Sequence, residues 1–446
     1  MIEIVRLAYK YKLCPKPHQE KLLAQFGGCC RFVWNYLLFQ REEEYHEYLE
    51  ELDDRKCWGE DLSLVKKPTL LKFTFMGKLQ RLKEEPQFAF LKECNAQILQ
   101  QKALDLYQGF CFTYDNFRKH VKASFPKPKK KGRSSDSFRY PQGFKIDGAN
   151  SRVYLPKIGW LRYRNSRDLP SDATPKNITI THAADGWYMS VQFEKPHAPE
   201  ITEPDPDNSV GIDMGSRFFA TLSDGTQLES FNKHLDGIDR RISLLHKKLD
   251  RSLPGSSNRA KLVKKLALMY KRKSDIKRDR MHKYSTKIVR EHNVIVAEDL
   301  QIKNITKSAK GTVHKPGKNI KVKSTLNRMN LNESWGEFFR QIGYKMKLKG
   351  GVFVQVHPKN TSRTCPKCGC ISKKNRPSQP VFKCVSCGYS ANADVNAACN
   401  ILRAGRLLMA LQGSKNLLDP ANNQRSTDAR ASTKIRDQSS DQAAQK

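Results

Sequence analysis

Four cysteines, Cys365, Cys368, Cys384 and Cys387, stand in the pattern C-x2-C-x15-C-x2-C. Each C-x2-C turn can aim two thiolates at one point, and two such turns complete a tetrahedron around one Zn2+ ion. Gly369 and Gly388 follow the two pairs, where a metal knuckle needs a tight backbone. Four thiolates leave the metal no open position, so this zinc serves folding rather than chemistry. The chemistry falls to three carboxylates: Asp213 in G-I-D-M-G, Glu298 in V-I-V-A-E-D, and Asp394 in A-N-A-D-V-N, shortly after the last zinc cysteine. Taken singly each is ordinary, and an Asp at the head of a helix is usually a cap. Clustered, the three would repel one another unless cations sat among them. Two Mg2+ ions about 3.5–4 Å apart are the usual answer in nucleases. One activates water for in-line attack on phosphorus and the other stabilises the leaving oxygen.

The elements that must position these groups can be read from spacing. Around Asp213, Val210, Ile212 and Met214 share one strand face, and Gly211, Asp213 and Gly215 share the other. The two glycines leave room for a phosphodiester to approach the backbone. Glu298 ends Val294–Ala297, a fully apolar strand of the kind found in a covered central sheet. Asp394 opens a helix with Val395, Ala398, Cys399 and Leu402 on its apolar face. In a mixed sheet flanked by helices, the two strand ends and the helix start can converge. Leu235 to His292 reads as a helical hairpin broken near Pro254, with a cationic outer face that includes Lys271 and Arg272. Ser334-Trp-Gly-Glu337 has capping-box spacing before a core stripe of Trp335, Phe338, Phe339, Ile342 and Met346.

The N-terminal part has a different character. Residues 1–13 alternate like a strand, and a helical block follows from 14 to 122, with Pro17 suited to its start. A proline- and lysine-rich loop comes next, then short strand candidates between turn residues as far as 200, a pattern that suggests a small barrel. The first strand completes that barrel, with the helices inserted. The run Lys129, Lys130, Lys131 and Arg133, close to Phe138, Arg139 and Tyr140, fits phosphate and base contact.

Composition agrees with such a partner. Lys and Arg number 81 against 45 Asp and Glu, a net charge of +36, which points to a polyanion. No apolar run reaches the roughly 18 residues of a membrane span, and no signal-peptide core opens the chain. The protein is therefore expected in a reducing cytoplasm, cytosol or nucleoid, with its remaining cysteines buried as small hydrophobes.

The three carboxylate motifs resemble those of a RuvC-like nuclease, an RNase H-like α/β fold. The zinc ribbon between the second and third motifs, together with S-F-R-Y at 137–140, L-P-K-I-G-W at 155–160 and T-S-R-T-C-P-K-C-G from Thr361, resembles the TnpB family of insertion sequences, relatives of compact type V CRISPR nucleases. One departure is that Asn392 and Ala393, rather than charged residues, precede the third Asp. The resemblance implies an RNA-guided, magnesium-dependent DNA endonuclease of a transposon. A guide noncoding RNA would pair with target double-stranded DNA beside a short protein-read motif, the protein acting as a monomer with its RNA. The lysine-rich loop after Glu298 would be a lid.

The domain map that follows is a first barrel strand (1–13), a helical recognition domain (14–122), the rest of the barrel or wedge (123–200), a linker (201–208), the nuclease domain (209–364), the zinc ribbon (365–388), the end of the nuclease domain (389–412) and a disordered tail (413–446). A transposase or resolvase reading DNA ends directly, or a compact CRISPR effector, would use the same carboxylates.

Overall fold

Alternating residues at the N-terminus, and the three-four spacing that follows them, set the first of two folding units. The computed structural model describes residues 3–132, 134–197, 205, 208–312 and 314–418. Residues 1–198 with 252–271 form one unit, and 199–251 with 272–446 the other. Among the described residues no helix is long and apolar enough to cross a membrane.

In the first unit, β1 (Glu3–Cys14) leads into α1 (Pro17–Trp58). Leu23, Phe26, Cys30, Val33 and Leu37 recur every three or four residues along α1, and all are buried. Gly59, at φ 69°, ends the helix in the left-handed conformation that a side chain would resist. Two further helices follow, α2 (Lys72–Glu84) and α3 (Ala96–Arg118). The strands are β2 (Ser137–Tyr140), β3 (Lys145–Asp147), β4 (Arg152–Leu155), β5 (Gly159–Tyr163), β6 (Thr174–Ala183) and β7 (Gly186–His197). They form one sheet in the order β2-β6-β7-β1-β5-β4-β3. β1 is central to it: Glu3 to Lys12 pair antiparallel with β7, and Leu13 and Cys14 with β5. Leu23, Phe26 and Val33 of α1, Leu99 and Leu106 of α3, and Phe138, Ile180 and Val191 of the sheet share one core. β3, with three residues, is too short to show a period.

The second unit begins with β8 (Ser209–Met214), β9 (Phe218–Leu222) and β10 (Gln227–Glu229), then α4 (Phe231–Asp250) and, from Arg272 onward, α5 (Ser257–Glu291), whose first residues belong to the first unit. It continues with β11 (Val294–Glu298), α6 (Ile302–Ile305), α7 (Ile320–Glu333), α8 (Trp335–Lys349) and β12 (Val352–Val356). After the ribbon hairpin β13 (Val381–Lys383) and β14 (Ser390–Asn392), it ends with α9 (Ala393–Leu418). The main sheet runs β10-β9-β8-β11-β12. β8, β11 and β12 are mutually parallel, whereas β9 is antiparallel to β8, and β10 to β9.

Both faces of this sheet are covered, which explains the unbroken apolar run of β11. Ile295 and Ala297 join Val210, Ile212, Phe219, Phe338 and Ile342 in the core on one side. Val294 and Val296 join Val356 and Ile401 of α9 on the other. α9 lies very close to the strands. A Cβ added to Gly211 would stand 2.1 Å from the Ala398 carbonyl oxygen, and one added to Gly405 would stand 2.5 Å from the Val296 methyls. The space beside Gly211, read from sequence as room for a phosphodiester, is thus taken by a helix backbone. The inward face of α9 is also rotated from the expected one: Asn396, Ala397, Ala398, Asn400 and Ile401 are buried, while Val395, Cys399 and Leu402 are half-buried.

Two further readings change. Ser334 does not cap α8, because α7 runs up to Glu333 and holds Ser334 at φ 56°, where its hydroxyl donates to Leu331 O at 3.1 Å. Glu333 is fully buried and accepts from Ser230 Oγ, from Phe231 N at 3.1 Å and from Asn232 Nδ2 at 2.6 Å, so it caps α4 from a distant segment. Residues 413–418, read as the start of an irregular tail, continue α9; the rest of that tail, and residues 201–204, 206 and 207 of the linker, lie outside the described residues.

The seat of α9 makes Gly211→Ala a sensitive probe. Its methyl must displace backbone rather than a flexible side chain, so the substitution should destabilise this unit by on the order of 3 kcal/mol, read by thermal or denaturant unfolding.

Candidate active site

Strand parity explains how two of the three carboxylates meet. Val294, Val296 and Glu298 alternate onto the α9 side of β11, as Gly211 and Asp213 do on β8. Val296 pairs with Gly211 in parallel register, so Glu298 and Asp213 follow two residues later on neighbouring strands. α9 brings the third. Ala398 touches Gly211, and Asp394 lies one turn earlier, over the strand ends. Helix capping does not occupy Asp394: Asn392 Oδ1 accepts from Asp394 N at 2.9 Å and Val395 N at 3.2 Å. The unexpected Asn before the third Asp is therefore the cap, and it leaves the Asp394 carboxylate for other work.

The electrostatics show the crowding. Burial first, then the charges of Glu298 and Asp394, push the Asp213 carboxyl up to about 8, with Arg376 opposing. Burial also raises Glu298, opposed by a hydrogen bond from Thr361 Oγ1 to its Oε1 at 2.6 Å. Arg376 Nη2 lies 3.3 Å from Asp394 Oδ1, and the guanidinium is anchored on Gln379 O by Nη2 at 2.7 Å and Nε at 3.2 Å. Asp213, its carboxyl raised first by burial and then by the charges of Glu298 and Asp394, and Asp394, facing one arginine, belong to a set of hard oxygen donors of the kind divalent cations take.

The cysteines close a second centre. Cys365 Sγ and Cys387 Sγ are 3.6 Å apart, and Cys368 Sγ and Cys384 Sγ 3.5 Å. All four sulfurs lie within 4.8 Å of one another. A zinc tetrahedron with 2.3 Å bonds has edges of about 3.8 Å, so the set fits a structural metal. Among the described residues no other group of three or more metal-binding side chains draws its ligand atoms that close, the carboxylate trio included. Gly369 (φ 75°) and Gly388 (φ 71°) make each knuckle, their N–H groups donating to Cys365 O and Cys384 O. The N–H groups of Cys387 and Ser386 donate to Cys384 Sγ and pull that thiol down to about 6, toward the thiolate a metal needs. Buried Asn375 ties the halves together, donating to Arg363 O and Cys370 O and accepting from Val385 N.

Arg376 and Thr361 were not singled out in the sequence. Each lies in an irregular polar stretch, where neither period nor spacing marks a residue. The basic residues that were singled out have varied surroundings. Lys129 Nζ sits 3.7 Å over the Trp34 ring, and burial, then Lys102, push its amine down to about 8. Lys130, Lys131 and Arg272 are exposed. Arg139 lies 3.7 Å from Asp105, and Lys271 lies 3.9 Å from Asp185 and 5.1 Å over Tyr188. Arg133 lies outside the described residues.

Three family models match the chain: a "Helix-turn-helix domain" over residues 1–50, a "Probable transposase" over 189–309, and a "Cas12f1-like, TNB domain" over 335–401. The "Putative RNA-guided DNA endonuclease InsQ" of Escherichia coli K12 is 39% identical over 409 residues, covering 90% of this chain and 93% of that protein. A "Putative RNA-guided DNA endonuclease" of Streptomyces pristinaespiralis is 29% identical over 412 residues, 91% of this chain and 90% of the other. The "CRISPR-associated endodeoxyribonuclease Cas12f1" of Sulfoacidibacillus thermotolerans is 27% identical over 226 residues, about half of each chain. At 39% identity along nine-tenths of both sequences, this chain belongs with the Escherichia coli protein in the TnpB family, the OrfB proteins of IS605-type elements.

Proposed function

We propose that the chain is a transposon-borne, RNA-guided DNA endonuclease that cuts phosphodiesters at Asp213, Glu298 and Asp394. The observation that carries this reading is the meeting of these three acids at one end of the α9-covered sheet face, in a chain of net charge +36. The strand order β10-β9-β8-β11-β12, with the last three parallel, supports an RNase H-like, RuvC-type nuclease domain. The coiled course of β1 through two sets of partners supports a wedge barrel into which α1 to α3 are inserted. Relatives named as RNA-guided endonucleases over nearly full length support a guide RNA and a double-stranded DNA target, with sequence read by base pairing. The place of action is the cytoplasm, where thiols stay reduced.

Asp213, Glu298 and Asp394 would hold two Mg2+ ions, and Cys365, Cys368, Cys384 and Cys387 one Zn2+. Bound magnesium supplies activation of water and charge stabilisation on the leaving oxygen. The chain's own part is to present three deprotonated carboxylates and keep them from rotating apart. Arg376 holds a compensating positive charge at Asp394 and is placed to meet a phosphodiester oxygen. The zinc ribbon keeps Arg376 in place. Lys129, Lys130, Lys131, Arg133, Arg139, Lys271 and Arg272 would contribute phosphate contacts.

Asp213→Asn tests the reading. Guide-loaded variant protein should bind target DNA as the parent does but fail to cut it in magnesium; retained cutting would exclude the mechanism. The same change should stabilise the protein in chelator. An acid whose proton affinity is raised by folding favours the folded state while protonated, and that advantage is lost as pH rises from about 4 toward 8. The melting temperature in chelator should therefore fall over that range for the parent, and fall less for Asp213→Asn. Cys384→Ser should lose zinc by elemental analysis, melt earlier and cut poorly, because Arg376 loses its frame. Binding to RNA and DNA should weaken linearly in log-log plots against salt, since many phosphates release counterions; a flat titration would contradict the polyanion reading.

A further inference from the structure

The link between β12 and the first zinc knuckle carries a hydrogen-bonded relay that the sequence motif T-S-R-T-C-P does not explain by metal binding alone. Thr361 is 8% exposed, and its hydroxyl lies 2.6 Å from Glu298 Oε1 and 3.3 Å from Pro358 O. A hydroxyl has one proton, and the shorter, charge-assisted contact takes it. The backbone of the same residue is held from the other side. Asn400 Nδ2 donates to Thr361 O at 2.8 Å and to Thr364 O at 2.7 Å, which uses both amide protons. Asn396, one turn earlier, donates to Thr364 O at 3.2 Å. Asn396 and Asn400 are 1% and 7% exposed and lie on α9, the helix that begins with Ala393 and Asp394.

We propose that Thr361 and Asn400 are positioning residues of the carboxylate centre, coupling the orientation of Glu298 to the helix that carries Asp394. This rests on the nuclease reading above. Glu298 is the last residue of β11, and its long side chain has no strand beyond it to limit its rotamers. The Thr361 hydroxyl holds one carboxylate oxygen and leaves the other for a cation. Asn400 places Thr361 by its carbonyl, so Glu298 and Asp394 are oriented from one rigid body. Cys365 follows four residues later, which makes zinc the clip that keeps the relay assembled. The link into the ribbon thereby touches Glu298 through Thr361, and the ribbon itself touches Asp394 through Arg376.

The test uses full-length, guide-loaded protein. Thr361→Val keeps the shape and removes the hydroxyl; Thr361→Ser keeps the hydroxyl. Mn2+ binding is measured by electron paramagnetic resonance with target DNA bound, alongside the magnesium dependence of single-turnover cutting. Outer partners of metal ligands typically affect metal affinity about tenfold or more. Thr361→Val should therefore bind Mn2+ about tenfold more weakly and need correspondingly more magnesium, with zinc content and DNA affinity unchanged, while Thr361→Ser stays within about twofold of the parent. Asn400→Ala should produce a similar shift, and the double variant should be no worse than either single, as expected for one relay. Wild-type Mn2+ affinity in Thr361→Val overturns the proposal and leaves the nuclease reading intact. Should Thr361→Val lose zinc, Thr361→Ala against Thr361→Ser at full zinc content decides the same question: equal metal affinities overturn the relay. Cutting by Asp213→Asn would instead remove the reading on which the relay rests.

Discussion

A helix can lie against the backbone of a strand only where the strand offers no side chain in between. That constraint governs the second unit. Gly211 gives the Ala398 carbonyl a place to sit, and Gly405 gives the Val296 methyls theirs. Both contacts are too tight for a Cβ, so the register of α9 along the sheet is set by sterics rather than by the sum of apolar contacts, which would tolerate sliding. From that register the positions of the acids follow. Asp213 is two residues beyond Gly211 on its face, and Asp394 one turn before Ala398. Shifting α9 by a turn would carry Asp394 about 5 Å along the helix axis.

Asp213 and Glu298 so gathered oppose folding: burial favours the neutral form of each, and at Asp213 the charges of Glu298 and Asp394 add to it. The zinc ribbon offsets this from a separate, independently stiffened element. Its core is small, with Phe382, Cys365, Cys384 and Ala393 buried together. A cluster of that size does not hold a fold by apolar burial alone, and a metal on the four cysteines would supply the rigidity. Rigidity is what the site needs from it: Arg376 and Thr361 reach the acids from irregular backbone, and irregular backbone positions a side chain only when something else immobilises it. Asn375, bonded to both halves of the ribbon, has that function for the stretch around Arg376.

Much of this was legible in the sequence, and the parts that were not share a cause. A period of two places Asp213 on a definite face of its strand, the unbroken apolar run marks Glu298 as the end of a covered strand, and paired C-x2-C spacing groups the cysteines, because all three are consequences of local backbone geometry. α1 and its buried heptad-like positions could be read for the same reason. The glycine beside Asp213 was misread because a missing side chain has the same spelling whether a ligand or a helix fills the gap. Ser334 was misread as a cap because the capping box assumes a chain arriving extended, whereas α7 arrives as a helix. Arg376, Thr361 and Asn400 reach their partners through hydrogen bonds between segments distant in sequence, which leave no periodic trace.

Charge distribution completes the physical argument. The site concentrates negative charge within a chain of net +36, so the long-range field attracts a polyanion while the short-range field at the site repels it. The two act at different distances: salt screens the first beyond about 8–10 Å, while the second operates within contact range at low dielectric. A nucleic acid can therefore be drawn to the surface by many lysines and arginines, yet it can enter the carboxylate cluster only with cations between. The orientation of a few oxygens then matters more than the abundance of basic residues. On the proposed function, affinity for nucleic acid would be spread over many replaceable contacts, whereas hydrolysis would depend on three acids whose geometry is inherited from two glycines, one helix and the four-cysteine ribbon.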